Sequence, residues 1–429
     1  MSTLINISKW LADNIFGEPA VLIGIIALIG LLVQKKSKSE VIAGTIKTIL
    51  GFLIIQAGSG VVVDAMGSFG PMWQHVFGIE AQPIQAMGTD NFIATYGGTV
   101  TLMMTFGFLI NVILARFTPF KYIYLTGHMM FWLCLVVTGI FVEAFGPDVS
   151  QTKILLIGSV LIGIYWTLQP AYVQKYMKKI TGKDNIALGH TVSFAAWSGA
   201  KLGSLIGNPE KSCENIKVPK AFDFLKDSNV VIVTVMGLFY CIGAVLAGSE
   251  YMGNFTGGKN YIVYGLLQGL KFGGGIAVIL YGVKLLISQI VPAFKGFATK
   301  VVPNAKPALD CPVVYPFAPT ATIIGFAAAF VTTIIMMVVM GLTAFYVFVP
   351  PMIALFFHAA AAGVFGNATG GVRGTIIAGV ITGLVISLGQ AIFVKYITPT
   401  TVPDFILWGG DTDMFIFGSI LKFILGIFS

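Results

Sequence analysis

Long runs without a charged residue constrain this chain more than any other feature. Residues 230–248, 320–349 and 374–394 contain no Asp, Glu, Lys or Arg. Each run is long enough to cross the roughly 30 Å hydrocarbon core of a bilayer as a helix. Charged residues make up only 10% of the 429 residues, well below the roughly 25% that is usual in soluble domains. The sequence therefore predicts a polytopic membrane protein.

The membrane-spanning structure is expected to be helical. In lipid, only helices and closed barrels satisfy all of their backbone hydrogen bonds. Barrels are typically encoded by alternating strands of about ten residues, and this pattern does not occur in the sequence. The expected fold class is an all-α polytopic membrane protein.

The basic loops predict the topology. The positive-inside rule places loops rich in Lys and Arg in the cytoplasm, and with a first span near 19–33 the N-terminus then lies outside. The net charge of +8 is spread thinly over the loops, so nucleic acid is not an expected partner. The clearest basic loops are 34–40, 116–121, 175–183, 210–220 and 295–306.

Two stretches depart from the pattern of simple spanning helices. Residues 186–207 are mostly apolar but lie between two basic loops, so they must enter and leave the membrane from the same face. With four glycines, this stretch fits a re-entrant hairpin that is buried in protein or lines a cavity. Residues 307–320 contain four prolines, which cannot continue a helix. Broken segments of this kind mark the solute sites of many transporters.

Three ionisable residues are candidates for a binding site. His128 stands in LTGHMMF, His190 in ALGHTVSF and Asp310 in PALDCPVV. Ionisable groups are costly inside a membrane and usually serve a function there. A neutral histidine both donates and accepts, and a carboxylate accepts two hydroxyls, so the set suits a polyhydroxylated solute. The alternative for each residue is a buried side chain with structural hydrogen bonds.

The other histidines and the cysteines do not suggest a site. We expect His75 to lie at the membrane interface and His358 to have a packing or hydrogen-bonding role. The four cysteines show neither C-x-x-C spacing nor a His/Cys cluster. We therefore expect no disulfide, no metal and no cofactor.

Three glycine-rich phrases occur along the chain: QAGSG (56–60), ATYGGTV (94–100) and GNATGGVRG (366–374). They lack the strand and residue contexts of a P-loop or a Rossmann phosphate-binding turn. Close helix packing or unwound backbone facing a solute explains them better. In the second case Gln56 and Ser59 would add side-chain contacts to the solute.

Several phrases together resemble one transporter family, in the same order and at similar spacing. The family is the membrane IIC component of the ascorbate-type phosphoenolpyruvate-dependent sugar phosphotransferase system (PTS). The phrases are GTIKTILGFLIIQAGSG (44–60), LTGHMMF (125–131), LGHTVSFAAW (188–197), LDCPVVYPFAPTATIIGF (309–326) and GVFGNATGGVR (363–373).

The resemblance implies a homodimer in the bacterial cytoplasmic (inner) membrane. Each subunit would have about eleven transmembrane helices and re-entrant hairpins, divided between a V-motif domain and a core domain that moves as an elevator. Residues 1–429 would form one integral membrane IIC domain in which these two parts are interleaved. The IIA and IIB phosphocarriers would be separate cytosolic proteins.

The resemblance also implies substrate contacts, but three positions differ from the family pattern. Matching positions give Gly58, Ser59, His128, His190 and Asp310 as contacts. Family glutamines correspond here to Trp132 and Thr191, and a family tyrosine to Met87. Losing amide donors and acceptors can shift specificity strongly.

L-Ascorbate is therefore the default substrate, and another sugar, a polyol or a sugar acid stays open. Trp132 offers an aromatic face and one indole N–H donor to such a ring. We include both Trp132 and Thr191 among the candidate substrate-binding residues.

Two functions compete at this point. In group translocation, the chain is not catalytic alone: it binds and moves the solute, and IIB phosphorylates it. In a proton- or sodium-coupled transporter, Asp310 with His128 or His190 would carry the coupling ion. An intramembrane hydrolase is disfavoured because no Ser-His pairing or H-E-x-x-H motif is apparent.

Overall fold

The computed structural model describes residue 10 and residues 19–78, 86–216, 228–300, 302–343, 345–346, 348 and 350–427. Most of these residues are helical, as the sequence predicts. The α-helices of this part of the chain are α1 (Pro19–Val33), α2 (Lys38–Met66), α3 (Phe69–Val76), α4 (Thr89–Phe117), α5 (Gly127–Phe145), α6 (Gln151–Thr181), α7 (Ser193–Ile206), α8 (Ser228–Thr256), α9 (Tyr261–Lys300), α10 (Pro319–Leu342), α11 (Met352–Ile392), α12 (Pro403–Gly409) and α13 (Thr412–Leu425).

Eight helical stretches within the described residues are long and apolar enough to cross a membrane. They lie in α2 with α3, and in α4, α5, α6, α8, α9, α10 and α11, while α1 is apolar but shorter. The chain is thus a multi-pass helical membrane protein. A total of eleven spans stays a prediction, as does the cytoplasmic side of the basic loops. The N-terminus predicted to lie outside precedes Pro19 and falls outside the described residues.

Helix α11 turns back on itself at a glycine. A straight helix of its 41 residues would be about 60 Å long, twice the hydrocarbon thickness. Gly371 breaks the helix with φ 60° and ψ −145°. Beyond the break, Thr375 Oγ1 donates to Gly363 O at 3.2 Å, although about 18 Å would separate these turns in a straight helix. The helix is therefore a hairpin with arms 352–370 and 372–392.

Glycines bring α2 and α9 into close contact. A Cβ at Gly51 would lie 2.7 Å from Leu286 N, and a Cβ at Gly58 would lie 2.7 Å from Gly275 O. Small residues at such positions let two backbones approach within van der Waals distance. Of the two explanations offered for QAGSG, close packing thus holds for Gly58, within a regular helix.

A small parallel sheet, which the sequence did not predict, accompanies the helices. Its strands are β1 (Tyr122–Tyr124), β2 (Ala187–Leu188) and β3 (Lys306–Leu309), in the order β1-β3-β2. Ile123 pairs with Pro307, and Ala187 pairs with Ala308. Strands of two to four residues are too short to show the alternation that reveals a strand in a sequence.

The two unusual stretches of the sequence both contain one of these strands. Residues 186–207 form β2, a turn and α7, whose 14 residues give a length of about 21 Å, short of a full crossing. Residues 307–320 continue β3 into a 3₁₀-helix (Cys311–Phe317) and the start of α10. The predicted break at 307–320 is confirmed. The re-entrant path of 186–207 stays a prediction.

Candidate functional site

The sheet brings together three residues that lie far apart in the sequence. A candidate residue follows each strand: His128 four residues after the end of β1, His190 two residues after β2 and Asp310 immediately after β3. Because the strands are parallel, their carboxyl ends meet at one edge, where open parallel sheets generally bind ligands. His128 lies in the first turn of α5, and Asp310 caps the 3₁₀-helix by accepting from Cys311 N at 2.6 Å.

Gly189 allows β2 to lie close to β3. A Cβ at this position would lie 2.5 Å from Ala308 O, closer than real Cβ contacts. Its N–H donates to Leu309 O at 2.7 Å, and its carbonyl accepts from the Thr126 hydroxyl. This explains the glycine of the phrase LGH: it joins the ends of all three strands beside His190.

The outer edge of β1 is held by a buried amide from α4. Asn111 Nδ2 donates to Tyr122 O at 3.1 Å, and Asn111 Oδ1 accepts from Tyr124 N at 3.0 Å. Unpaired backbone groups are costly away from water. Asn111 therefore makes the two hydrogen bonds that a neighbouring strand would otherwise make to β1. The sequence analysis did not identify this residue, although a fully buried Asn in an apolar helix is an unusual feature.

A charged cluster ties the start of β2 to the start of β3. Asp184 accepts from Lys306 Nζ at 2.7 Å and from Gln174 Nε2 at 2.9 Å, and it pairs with Lys178 at 2.7 Å. Partial burial acts to raise the pKa of Asp184, but the hydrogen bonds from Lys178, Lys306 and Gln174 outweigh it and lower the pKa to about 2. Asp184 therefore stays ionised at physiological pH, and the cluster fixes the register of the two strands.

At the carboxyl edge, one carboxylate lies between two imidazoles. Asp310 Oδ1 lies 3.5 Å from His190 Nε2, and Asp310 Oδ2 lies 3.8 Å from His128 Nε2. Both distances exceed the roughly 2.7–3.2 Å of a strong hydrogen bond. The His190 side chain is 4% exposed, whereas that of His128 is 47% exposed. The three groups therefore offer donors and acceptors to a small polar molecule in the cavity.

These residues line a cavity of about 540 Å³, within the roughly 300–1,000 Å³ of small-molecule sites. Among the described lining residues, Asp310 is the one carboxylate, and there is no Lys or Arg beside it. The polar lining residues are Gln56, Ser59, His128, His190, Asp310 and His358, and the aromatic ones are Phe52, Trp132, Phe357 and Phe405.

Five of the seven predicted binding residues line this cavity: Ser59, His128, Trp132, His190 and Asp310. Gly58 does not, because a side chain at this position would point at α9. Thr191 does not line it either: its hydroxyl donates to Asp411 Oδ2. His75, which the sequence did not favour, stacks on Tyr251 outside the cavity, with ring centroids 3.7 Å apart.

Trp132 forms an aromatic wall with a residue from α12. Its indole stacks on Phe405, with ring centroids 4.7 Å apart and planes 18° from parallel. A stacked pair of this kind is rigid and presents apolar surface next to the polar groups. The pair supplies surface for a ring at the position where the family pattern has an amide.

His358 is a cavity residue that the sequence analysis did not favour. It lies in the first arm of α11, with its ring centroid 4.9 Å from that of His190. Its Nδ1 is 2.8 Å from Ala354 O, and its Nε2 is 3.6 Å from Asp411 Oδ2. Its neighbours in the sequence are apolar, and only the fold of α11 brings it to the other histidines.

The cluster of His128, His190 and Asp310 also has the composition of a cation site. The ligand atoms of the three residues lie within 4.8 Å of one another, and imidazole with carboxylate suits zinc and related metals. The same atoms suit hydrogen bonds to hydroxyl groups equally well.

The fold and the cavity together define a multi-pass helical membrane protein with a small-molecule pocket between its helices. The family model EIIC-GAT, described as "PTS system sugar-specific permease component", matches residues 14–413. The chain belongs to this family.

One characterised relative is the "Ascorbate-specific PTS system EIIC component" of Mycoplasma pneumoniae. The two sequences are 26% identical over 426 aligned residues, which cover 86% of this chain and 64% of the relative. This chain thus spans less than two thirds of the length of the relative it matches.

Proposed function

We propose that this chain is the transport subunit of a PTS group-translocation system. It binds a sugar or sugar-like solute, with L-ascorbate as the default, and carries it across the membrane for phosphorylation by a separate IIB protein. The observation that carries this proposal is the cavity with the His128–Asp310–His190 cluster, in a member of the sugar-specific permease family. Phosphorylation then traps the product inside as an anion.

The geometry of the cavity supports the binding contacts that we propose. Asp310 accepts two solute hydroxyls, one from each carboxylate oxygen, and each imidazole contacts the same hydroxyl groups. His190 Nδ1 is buried and finds no hydrogen-bond partner among the described residues, so a solute hydroxyl would satisfy it. Ser59 adds a hydroxyl, and Trp132 supplies the surface against which the ring packs. Gly58 and Thr191 do not contact the solute; they support the residues that line the cavity.

The proposal includes a wider assembly, which membership of the sugar-specific permease family supports. The partners are cytosolic IIB and IIA phosphocarriers, a second copy of this chain in a homodimer, and the lipid bilayer. IIB docks near the basic cytoplasmic loops, where Lys and Arg attract an acidic or phosphorylated surface. Residues 1–429 act as one IIC domain in the bacterial cytoplasmic membrane, with a core that moves as an elevator relative to the V-motif part.

Reconstitution tests the proposal. Proteoliposomes carry the purified chain in their membrane and enclose its IIB and IIA, which are phosphorylated from phosphoenolpyruvate. Labelled L-ascorbate is added outside. The expected result is ascorbate phosphate in the lumen, lost in His190→Ala and retained in His75→Ala, a matched histidine outside the cavity. Uptake should persist with a proton uncoupler.

Three results would count against the proposal in different ways. Uptake of unmodified solute that collapses with the uncoupler would favour an ion-coupled transporter. Equal product from His190→Ala and the wild type would remove His190 from the site. Phosphorylation of another sugar or polyol, but not of ascorbate, would keep the mechanism and replace the substrate.

A further inference from the structure

Two buried carboxylates at the start of α13 hold the segment that follows His190. Asp413 Oδ1 accepts from Phe194 N at 2.7 Å, and Asp413 Oδ2 accepts from the Ser193 hydroxyl. Asp411 Oδ2 accepts from the Thr191 hydroxyl. All the donors lie within four residues of His190, on the chain that leads from β2 into α7.

The start of α13 also donates hydrogen bonds to the segment that follows His190. The backbone N–H of Asp413 donates to Thr191 O at 3.0 Å, and the Thr412 hydroxyl donates to the same carbonyl at 3.1 Å. Asp411 caps α13 by accepting from Met414 N at 3.0 Å. The His190 segment and the start of α13 therefore hold each other through both side chains and backbone.

Burying these two carboxylates is costly, so the hydrogen bonds that compensate for the cost are a specific feature of this contact. Asp411 is 0% exposed and Asp413 is 3% exposed, and a buried carboxylate is expensive unless its oxygens are hydrogen-bonded. Asp413 has a further donor, the Tyr165 hydroxyl at 2.7 Å from Oδ2. Neither Asp413 nor Asp411 lines the cavity, so substrate contact does not account for them.

The position of His358 links Asp411 to the cavity wall. His358 Nδ1 must donate to Ala354 O, because a carbonyl oxygen only accepts. Its Nε2 faces Asp411 Oδ2 at 3.6 Å. Asp411 therefore lies between His358 and the Thr191 hydroxyl.

We propose that Asp411 and Asp413 are positioning residues that hold His190, and through Asp411 also His358, against the cavity. They act through the Thr191–Phe194 segment and contact no solute themselves. This positioning role goes beyond the proposed function. It rests on the proposed function in one respect, that His190 contacts the solute. The position of Thr191, away from the cavity but fixed to Asp411, is the consequence of this arrangement.

The test measures the accessibility of His190 directly and needs no substrate. Diethyl pyrocarbonate acylates unprotonated imidazole nitrogens, and mass spectrometry of the purified full chain gives a rate for each histidine. In the wild type His190 should react slowly and the half-exposed His128 fast. In Asp411→Ala and Asp413→Ala, the His190 rate should rise at least about fivefold, the factor for losing about 1 kcal/mol of local closure.

Asp411→Asn is the conservative rescue. Its carbonyl oxygen can accept from Met414 N, and its two amide N–H groups can donate to the Thr191 hydroxyl oxygen and towards His358 Nε2. The His190 rate should therefore stay close to that of the wild type. The control Ser150→Ala removes a hydroxyl cap at the start of α6 and should change no histidine.

Where an alanine variant does not fold, Thr191→Val and Ser193→Ala each remove one donor and should raise the His190 rate in the same direction. The proposal is overturned if the His190 rate is unchanged in the folded variants, or if His75 and His128 accelerate equally, because that indicates general unfolding. Absence of ascorbate binding to the wild type would instead contradict the proposed substrate and leave the labelling result standing.

Discussion

Gly189→Ala is the substitution whose effect follows most directly from the structure. The new Cβ would lie 2.5 Å from Ala308 O, and ordinary contact begins near 3.4 Å. The strands β2 and β3 must then separate locally by about 0.9 Å, which overpacking data put at about 1–3 kcal/mol of stability. The same shift stretches the 2.7 Å hydrogen bond from Gly189 N to Leu309 O beyond the useful range.

The site should respond as well as the stability. His190 and Asp310 lie within two residues of the ends of the two separating strands, so their 3.5 Å approach should widen by a similar distance. A loss of about 1.4 kcal/mol of binding free energy corresponds to tenfold weaker affinity, and we expect at least this for ascorbate. The assays are equilibrium binding of labelled ascorbate and thermal unfolding of the purified protein.

Gly98→Ala is the matched control. Gly98 lies inside α4, and a Cβ there would meet nothing within 4 Å, so alanine should be neutral or should stabilise the helix by up to about 1 kcal/mol. The reasoning would be refuted if Gly189→Ala and Gly98→Ala had the same melting temperature and the same ascorbate affinity.

Three further substitutions test the site and its support. Asp310→Asn should abolish uptake while folded protein remains in the membrane, because the carboxylate between the histidines is lost; near-normal uptake would remove Asp310 from the site. Trp132→Gln should tighten ascorbate binding about tenfold by restoring one amide hydrogen bond, and an unchanged dissociation constant would exclude a specificity role. Asp184→Asn should lower the melting temperature above about pH 4. Because the folded-state pKa of Asp184 is depressed to about 2, its contribution is lost as pH falls from about 4 to 2, and the difference should shrink there; a difference independent of pH would contradict this account.

The membrane class and the central residues could be predicted from the sequence because each has a strong local signal. Uncharged runs of 19 residues or more stand out in any window, and histidines in apolar surroundings stand out for the same energetic reason. The breaks at 307–320 follow from proline chemistry alone. These predictions depend on nothing far away in the chain.

The parts that were missed depend on long-range contacts. His358 has an apolar sequence neighbourhood, and it joins the site only through its arm of α11 and its approach to Asp411. The positions of Gly58 and Thr191 were assigned by resemblance, which does not tell whether a residue faces the cavity or supports it from behind. The turn at Gly371 lies within a glycine-rich phrase, but only its positive φ shows that the helix reverses there.

The order of the three strands has a consequence for how the protein is made. The central strand β3 is the last to be synthesised, after β1 and β2. Until residue 309 leaves the ribosome, the strands beside His128 and His190 have no β3 to pair with, although unpaired backbone is costly in a membrane. Non-local pairing of this kind is slow to form. The cluster of His128, His190 and Asp310 is therefore completed only after most of the described helices have been synthesised. A nascent chain that stops before β3 contains both histidine segments but lacks Asp310.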